Sequence, residues 1–225
     1  MIRSFILAAF VSHSVSAFTQ VNFYEKGKKA LYWGITMGVN QSNFAVDRKP
    51  FSSLNDSVRN VYTSMGPGWN LGLIGNWQFN RYFDLRFVPT MVFSERILTY
   101  ENEFSTTENR VNATMLTLPL TVRIKSEPVN DWRIFILGGI KYDYNVVPQQ
   151  ITLADPNLLL LKKHGLSYEY GIGLQYFFPY FIFSPEIKFS HSFFNMMDGR
   201  QSPLNQSTIQ GVFPRTLTIS LNFEG

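Results

Sequence analysis

The chain has no cysteine, so disulfides, zinc–thiolate sites and a thiol nucleophile are excluded. Histidine is scarce, with only His13, His164 and His191 in 225 residues, and no His/Asp/Glu spacing points to a metal centre. Long apolar runs are also missing. Leu158 to Leu161 is an uninterrupted run, but it falls far short of the roughly 18 residues that a spanning helix needs. Charge clusters are absent as well: 20 Lys and Arg against 16 Asp and Glu leave a net charge of +4. These basic residues are scattered rather than gathered into the stripe that nucleic-acid binding requires.

Aromatic side chains are abundant, with 21 Phe and 11 Tyr, and they fall in an alternating pattern. In Gly165 to His191, residues Leu166, Tyr168, Tyr170, Ile172, Leu174 and Tyr176 share one parity, and Ser167, Glu169, Gly171, Gly173 and Gln175 the other. Period two marks strands with one greasy and one polar face. The same reading places strands at about Leu31–Asn40, Gly68–Phe79, from Phe83, up to Lys125, Trp132–Tyr144 and Arg215–Phe223. Gly165–His191 holds two more, divided at Pro179-Tyr180, with Phe181, Phe183, Ile187 and Phe189 continuing the alternation in the second, which makes eight in all.

The connections between them alternate in length. Roughly 27 residues follow the first strand and Asn80-Arg81-Tyr82 the second. A charged loop at about Leu98–Arg110, the Ser126–Asp131 turn, a loop of roughly 20 residues, Pro179-Tyr180 and a loop of roughly 22 complete the series. Long outer loops against short periplasmic turns are the sign of an up-and-down outer-membrane barrel. The fold class expected is therefore all-β, an eight-stranded antiparallel transmembrane barrel whose greasy face meets lipid. A secreted β-sandwich with an aromatic core is the alternative, but it has no reason to sort its loops by end. MIRSFILAAFVSHSVSA reads as a signal peptide over 1–17. A short periplasmic lead over 18–30 and a barrel over 31–225 would follow. Pro89, Pro119 and Pro185 fall inside strands, where each removes a ladder donor, so each is expected to mark a bulge or bend.

Two features could carry chemistry. His191 lies between Ser190 and Ser192, five residues beyond Glu186, which raises a lipid-modifying hydrolase as one reading. Alternation sends the histidine outward and both serines inward, so a headgroup-level interfacial residue fits better. His164, beside Lys162 and Lys163, is expected in a solvated loop. The second feature is the charge on the polar parity: Arg86, Arg123, Arg133, Lys141 and Lys188 with Asp143, Glu169, Glu186 and Glu224. Side chains fill an eight-stranded interior, so these charges should pair into a plug rather than line an ion path.

Two stretches are more specific. DLRFVPTMVFSERILTYE (Asp84–Glu101) joins an R-F-x-P core to a downstream E-R-x-L-x-Y. Thr114–Asn145 joins L-P-L, a K-S turn and an I-x-G-G-x-K-Y strand. Together they resemble the PorT family, small outer-membrane barrels associated with type IX secretion and, in gliding bacteria, with motility. Arg86, Pro89, Arg96, Tyr100, Pro119, Lys125, Ser126, Gly138, Gly139 and Lys141 match that pattern. The turn after Ser126 departs from it, carrying Glu127 and Asp131 where further basic residues would be expected.

The resemblance implies a non-enzymatic accessory barrel without cofactor, metal or small-molecule substrate, partnered by outer-membrane lipid and other secretion proteins. Arg86, Arg123, Lys125, Lys141, Glu169 and Glu186 are then the candidate functional residues of lumen and periplasmic rim. A generic barrel that adheres, stabilises the envelope or binds through its loops is the alternative.

Overall fold

The computed structural model describes residues 30–48, 60–64, 66–101, 106–146, 161–199 and 209–225. The expected signal, the lead apart from Ala30, and the loop centres near Pro50, Asn102, Pro156 and Asn205 lie outside the described residues. Ten strand segments are formed: β1 (Leu31–Arg48), β2 (Asn60–Ser64), β3 (Gly66–Gln78), β4 (Phe83–Phe87), β5 (Thr90–Glu101), β6 (Thr106–Lys125), β7 (Trp132–Asn145), β8 (His164–Phe177), β9 (Ile182–Ser192) and β10 (Ile209–Glu224). Only residue 65 separates β2 from β3, and only Val88 and Pro89 separate β4 from β5, so the ten segments make eight staves. All their pairings are antiparallel, and β1 bonds both β10 and β3, which closes the ring.

Closure follows from the solvent. Hydrocarbon offers no partner for an unpaired N–H or C=O, and each such group costs several kcal/mol there. The turns at 79–82, 126–131 and 178–181 join Leu31 and Glu224 at one end, the periplasmic one. In the second turn Val129 and Trp132 exchange backbone bonds, and Asn130 takes φ 56°, a left-handed conformation that asparagine tolerates.

Alternation decides the faces as read from the sequence. Leu71, Ile136, Leu174 and Ile219 point outward and are exposed, and Leu118 is partly so. Thr36, Asn40, Asn76, Thr121, Ser184 and Asn222 point inward and are buried. Trp33, Trp77, Phe79, Phe83, Trp132, Tyr176 and Phe178 are exposed around the periplasmic end, where an aromatic girdle anchors a barrel in the interface. Small inward residues let so narrow a wall curve. A Cβ on Gly139 would stand 2.1 Å from the Leu120 carbonyl oxygen, and one on Gly173 would stand 2.4 Å from the Phe135 ring.

Three expectations need correction. The prolines are not bulges, because the register runs unshifted past Pro89 and Pro119, from Phe83↔Ile124 to Glu101↔Thr106. It also runs unshifted past Pro185 on both sides. Each of the first two loses only its donor: Leu73 N still donates to Pro89 O at 3.0 Å and Val88 N to Pro119 O at 3.2 Å. The one register shift in the β1–β10 pairing lies instead at Asp47/Arg48.

The expected charged loop at Leu98–Arg110 is mostly ladder, since β5 and β6 remain paired out to Glu101↔Thr106. Likewise β1 continues to Arg48 and β10 begins at Ile209. Beyond the bilayer both faces of a strand are wet, so the alternation that marks a strand in lipid disappears. His164, expected in a loop, opens β8 and lies 2.6 Å from the Tyr142 hydroxyl through Nδ1.

Candidate functional site

The periplasmic half of the lumen holds a chain of ion pairs whose sign alternates link by link. It starts at the rim, where Lys125 Nζ donates to Asp84 Oδ1. Asp84 Oδ2 accepts from Arg123 Nη2 at 2.7 Å, and Arg123 Nη1 lies 3.5 Å from Glu224. Glu224 accepts from Arg86 Nη2, and Arg86 Nη1 donates to Glu186 at 2.8 Å. The other Glu186 oxygen is 2.9 Å from Lys188, which ends the chain 3.9 Å from Glu169. Four cations and four carboxylates compensate one another, as charges removed from water must.

Five strands supply these groups: β4 (Asp84, Arg86), β6 (Arg123, Lys125), β8 (Glu169), β9 (Glu186, Lys188) and β10 (Glu224), with Asn76 of β3 beside them. Arg123 is the centre. Its Nη2 is 2.7 Å from the Tyr32 hydroxyl, Asn76 Oδ1 and Asp84 Oδ2, and its guanidinium stands 5.0 Å from the Phe135 ring centroid. A planar fork that both stacks and forms several bonds is what arginine offers and lysine does not. Beside the chain, Arg133 Nε donates to Gln175 Oε1 at 2.7 Å and its guanidinium lies over Phe177.

The candidate residues do not all meet. Arg86, Arg123, Lys125, Glu186 and Glu169 belong to the one chain, whereas Lys141 stands apart, 3.0 Å from Ser190 Oγ and 3.5 Å from Asp143. Asp84 was visible as an inward position, but its role as the hinge between two cations was not. Also missed were the buried apolar residues Ile74, Phe135, Leu137 and Phe177, which fill the lumen around the charges. In Ile134–Leu137 both parities are apolar, so within that stretch alternation does not reveal which side is inside.

Outward of Glu169 and Lys188 the interior opens into a cleft of about 470 Å³, open solvent at its mouth included, lined in part by Thr36, Asn70, Thr90, Thr117 and Lys141. The lumen is thus a polar vestibule above an ion-paired floor. His191 faces outward while Ser190 and Ser192 are buried inside, so base and hydroxyl stand on opposite faces of one wall. The exposed rim pairs differently. Arg81 meets Glu127 at 2.8 Å, and the Tyr82 hydroxyl donates to the same carboxylate. Glu127, the departure from a basic turn, therefore ties the first periplasmic turn to the second.

Solved structures of other outer-membrane proteins are similar to this chain, and OprG shares its fold. The outer membrane protein OprG of Pseudomonas aeruginosa matches with a TM-score of 0.59 at 11% identity, over 89% of this chain and 98% of its own. Neisserial surface protein A matches with a TM-score of 0.42 at 7% identity, over 86% and 96%. The attachment invasion locus protein Ail of Yersinia pestis matches with a TM-score of 0.38 at 13% identity, over 88% and 100%. No curated protein sequence matches the chain. A family model, the outer membrane protein beta-barrel domain, matches residues 18–198. With a closed ring, a lipid-facing apolar belt and that match over most of its length, the chain belongs to the outer membrane protein beta-barrel domain family and resides in the outer membrane.

Proposed function

We propose that the protein is a non-enzymatic, non-conducting barrel that serves as an accessory component of protein secretion, of the type IX, PorT-like kind linked to gliding motility. The observation that carries this reading is where the PorT-like blocks fall. Asp84–Glu101 and Thr114–Asn145 supply β4 to β7, and their Arg86 and Lys125 are two of the four cations in the ion-pair chain. Arg86, Lys125 and Ser126 of the matching residues thus sit in the floor and periplasmic rim, whereas Arg96 and Tyr100 lie toward the outer end of β5 and Lys141 stands apart. Other secretion proteins are the proposed partners, met from the periplasmic side. The opposed faces of His191 and its neighbouring serines support the absence of an enzymatic role.

A second reading rests on the strand extensions. The twenty residues of β6, at ~3.3 Å per residue and ~40° tilt, climb about 50 Å, twice the ~25 Å apolar band of such barrels. A barrel raised that far above the membrane could bind an external partner through its loops, as the generic alternative supposes.

Export distinguishes the two. Cells carrying Arg86→Gln with Lys125→Gln should secrete poorly although heat-modifiable gel mobility shows a folded barrel, while trimming the connection around Pro156 leaves secretion largely intact. Loss of export in the loop deletion, with normal secretion by the folded double variant, would favour the outward-binding role.

A further inference from the structure

The lipid-facing positions of β7 to β10 are apolar or aromatic up to one level, where the pattern breaks. On β10 the outward residues rise from Phe223 through Leu221, Ile219 and Leu217 to Arg215. Eight residues at ~3.3 Å and ~40° tilt place Arg215 about 20 Å above Phe223, at the outer edge of the ~25 Å apolar band. Across the ladder Arg215 pairs with His191 of β9, and His191 with Tyr168 of β8. Arg215 is exposed, and its Nε donates to His191 Nδ1 at 3.0 Å. That bond fixes the plane of the guanidinium. The Tyr168 ring lies 5.4 Å from the His191 ring and 5.2 Å from Phe193. No outward position of β7 to β10 carries a carboxylate: the run is Trp, Ile, Ile, Gly, Ile, Tyr, Tyr on β7 and His, Leu, Tyr, Tyr, Ile, Leu, Tyr on β8, with none on β9 or β10.

An exposed arginine at the top of an apolar wall, oriented by a histidine and with no carboxylate among the outward residues of β7 to β10, can take an anion from the membrane. The outward carboxylate of its other neighbour β1, Asp47, stands opposite Gly211, four residues further up β10. We infer that Arg215, positioned by His191, binds a phosphate of a phosphorylated glycolipid in the outer leaflet, with the Tyr168–Phe193 shelf beneath its sugar and upper acyl chains. The chemistry fits each part. A guanidinium fork receives phosphate oxygens bidentately, aromatic rings sit at headgroup level, and Leu217 and Ile219 continue the contact down the acyl chains. The site is a lipid seat on the outside of the barrel, separate from the floor and vestibule within.

The test uses the full-length folded protein in detergent micelles and lipid A, a diphosphorylated acylated glucosamine disaccharide, as the probe. Wild type should bind lipid A at least about tenfold more tightly than Arg215→Gln, with Arg215→Lys between them and His191→Phe weakened. Wild type should also prefer lipid A over its enzymatically dephosphorylated form by a similar factor. This second comparison needs no variant to fold. Inorganic phosphate at millimolar concentration should fail to displace the lipid. Equal binding by wild type and a folded Arg215→Gln, or indifference to removal of the phosphates, would overturn the assignment. Displacement by inorganic phosphate alone would also do so, because it would mark a bare anion contact rather than a lipid seat.

Discussion

Replacing Glu186 with glutamine should cost roughly 3–5 kcal/mol of barrel stability, the usual penalty when one partner of a buried ion pair is removed. Glu186 is buried and each of its oxygens meets a different cation, Arg86 at 2.8 Å and Lys188 at 2.9 Å. Glutamine keeps the shape and one acceptor oxygen but removes the charge, leaving Arg86 to Glu224 alone and Lys188 to a distant Glu169 at 3.9 Å. Cation and carboxylate then no longer balance along the chain. Glu127→Gln is the matched control. Its pair with Arg81 is about half exposed on both sides, where such contacts contribute about 0–1 kcal/mol. Urea unfolding from lipid vesicles, followed by gel mobility, should separate the two variants by several kcal/mol. Equal stabilities would mean that water reaches Glu186 and that the floor is not sealed.

Arginine at Ile219 should cost roughly 2–4 kcal/mol, because a cation on the lipid face is most expensive at the bilayer midplane. Ile219 is midway between Phe223 and Arg215 on β10, and its ladder partners Val39 and Ile187 are exposed apolar residues that offer the charge nothing. Arginine at Phe223, beside the periplasmic girdle, should cost only about 0–1 kcal/mol, since it can reach headgroups. The same unfolding assay measures both. A flat response along β10 would place this face in water or in protein, and a β-sandwich interior would become the better description.

Much of this was legible in the chain because lipid and lumen impose opposite chemistry on successive residues. Where a strand crosses the bilayer, as in Leu31–Val39 or Leu166–Tyr176, every second residue must be apolar, and parity alone gives the face. The long-range partners were not legible. Arg86 and Glu186 are a hundred residues apart, and their meeting depends on the ring closing between β1 and β10, which no local pattern encodes. Phe135 and Leu137 were hidden by neighbours that are equally apolar. The prolines suggested bulges because a ladder seems to need every donor. Yet Pro89 and Pro119 each forfeit one bond of a reciprocal pair and keep the other, a smaller loss than shifting a whole stave in a closed barrel.

The central claim is that eight staves close around a filled floor, so that solutes cannot pass. Eight strands leave an interior just wide enough for side chains, and the chain from Lys125 to Glu169 occupies its periplasmic half. The most direct measurement is single-channel recording of the purified, refolded protein in planar bilayers under an applied potential. A quiet baseline with no steady, large conductance is the expected record. Stable openings on the nanosiemens scale would contradict the account, because ions could then cross only if the alternating pairs did not seal the lumen.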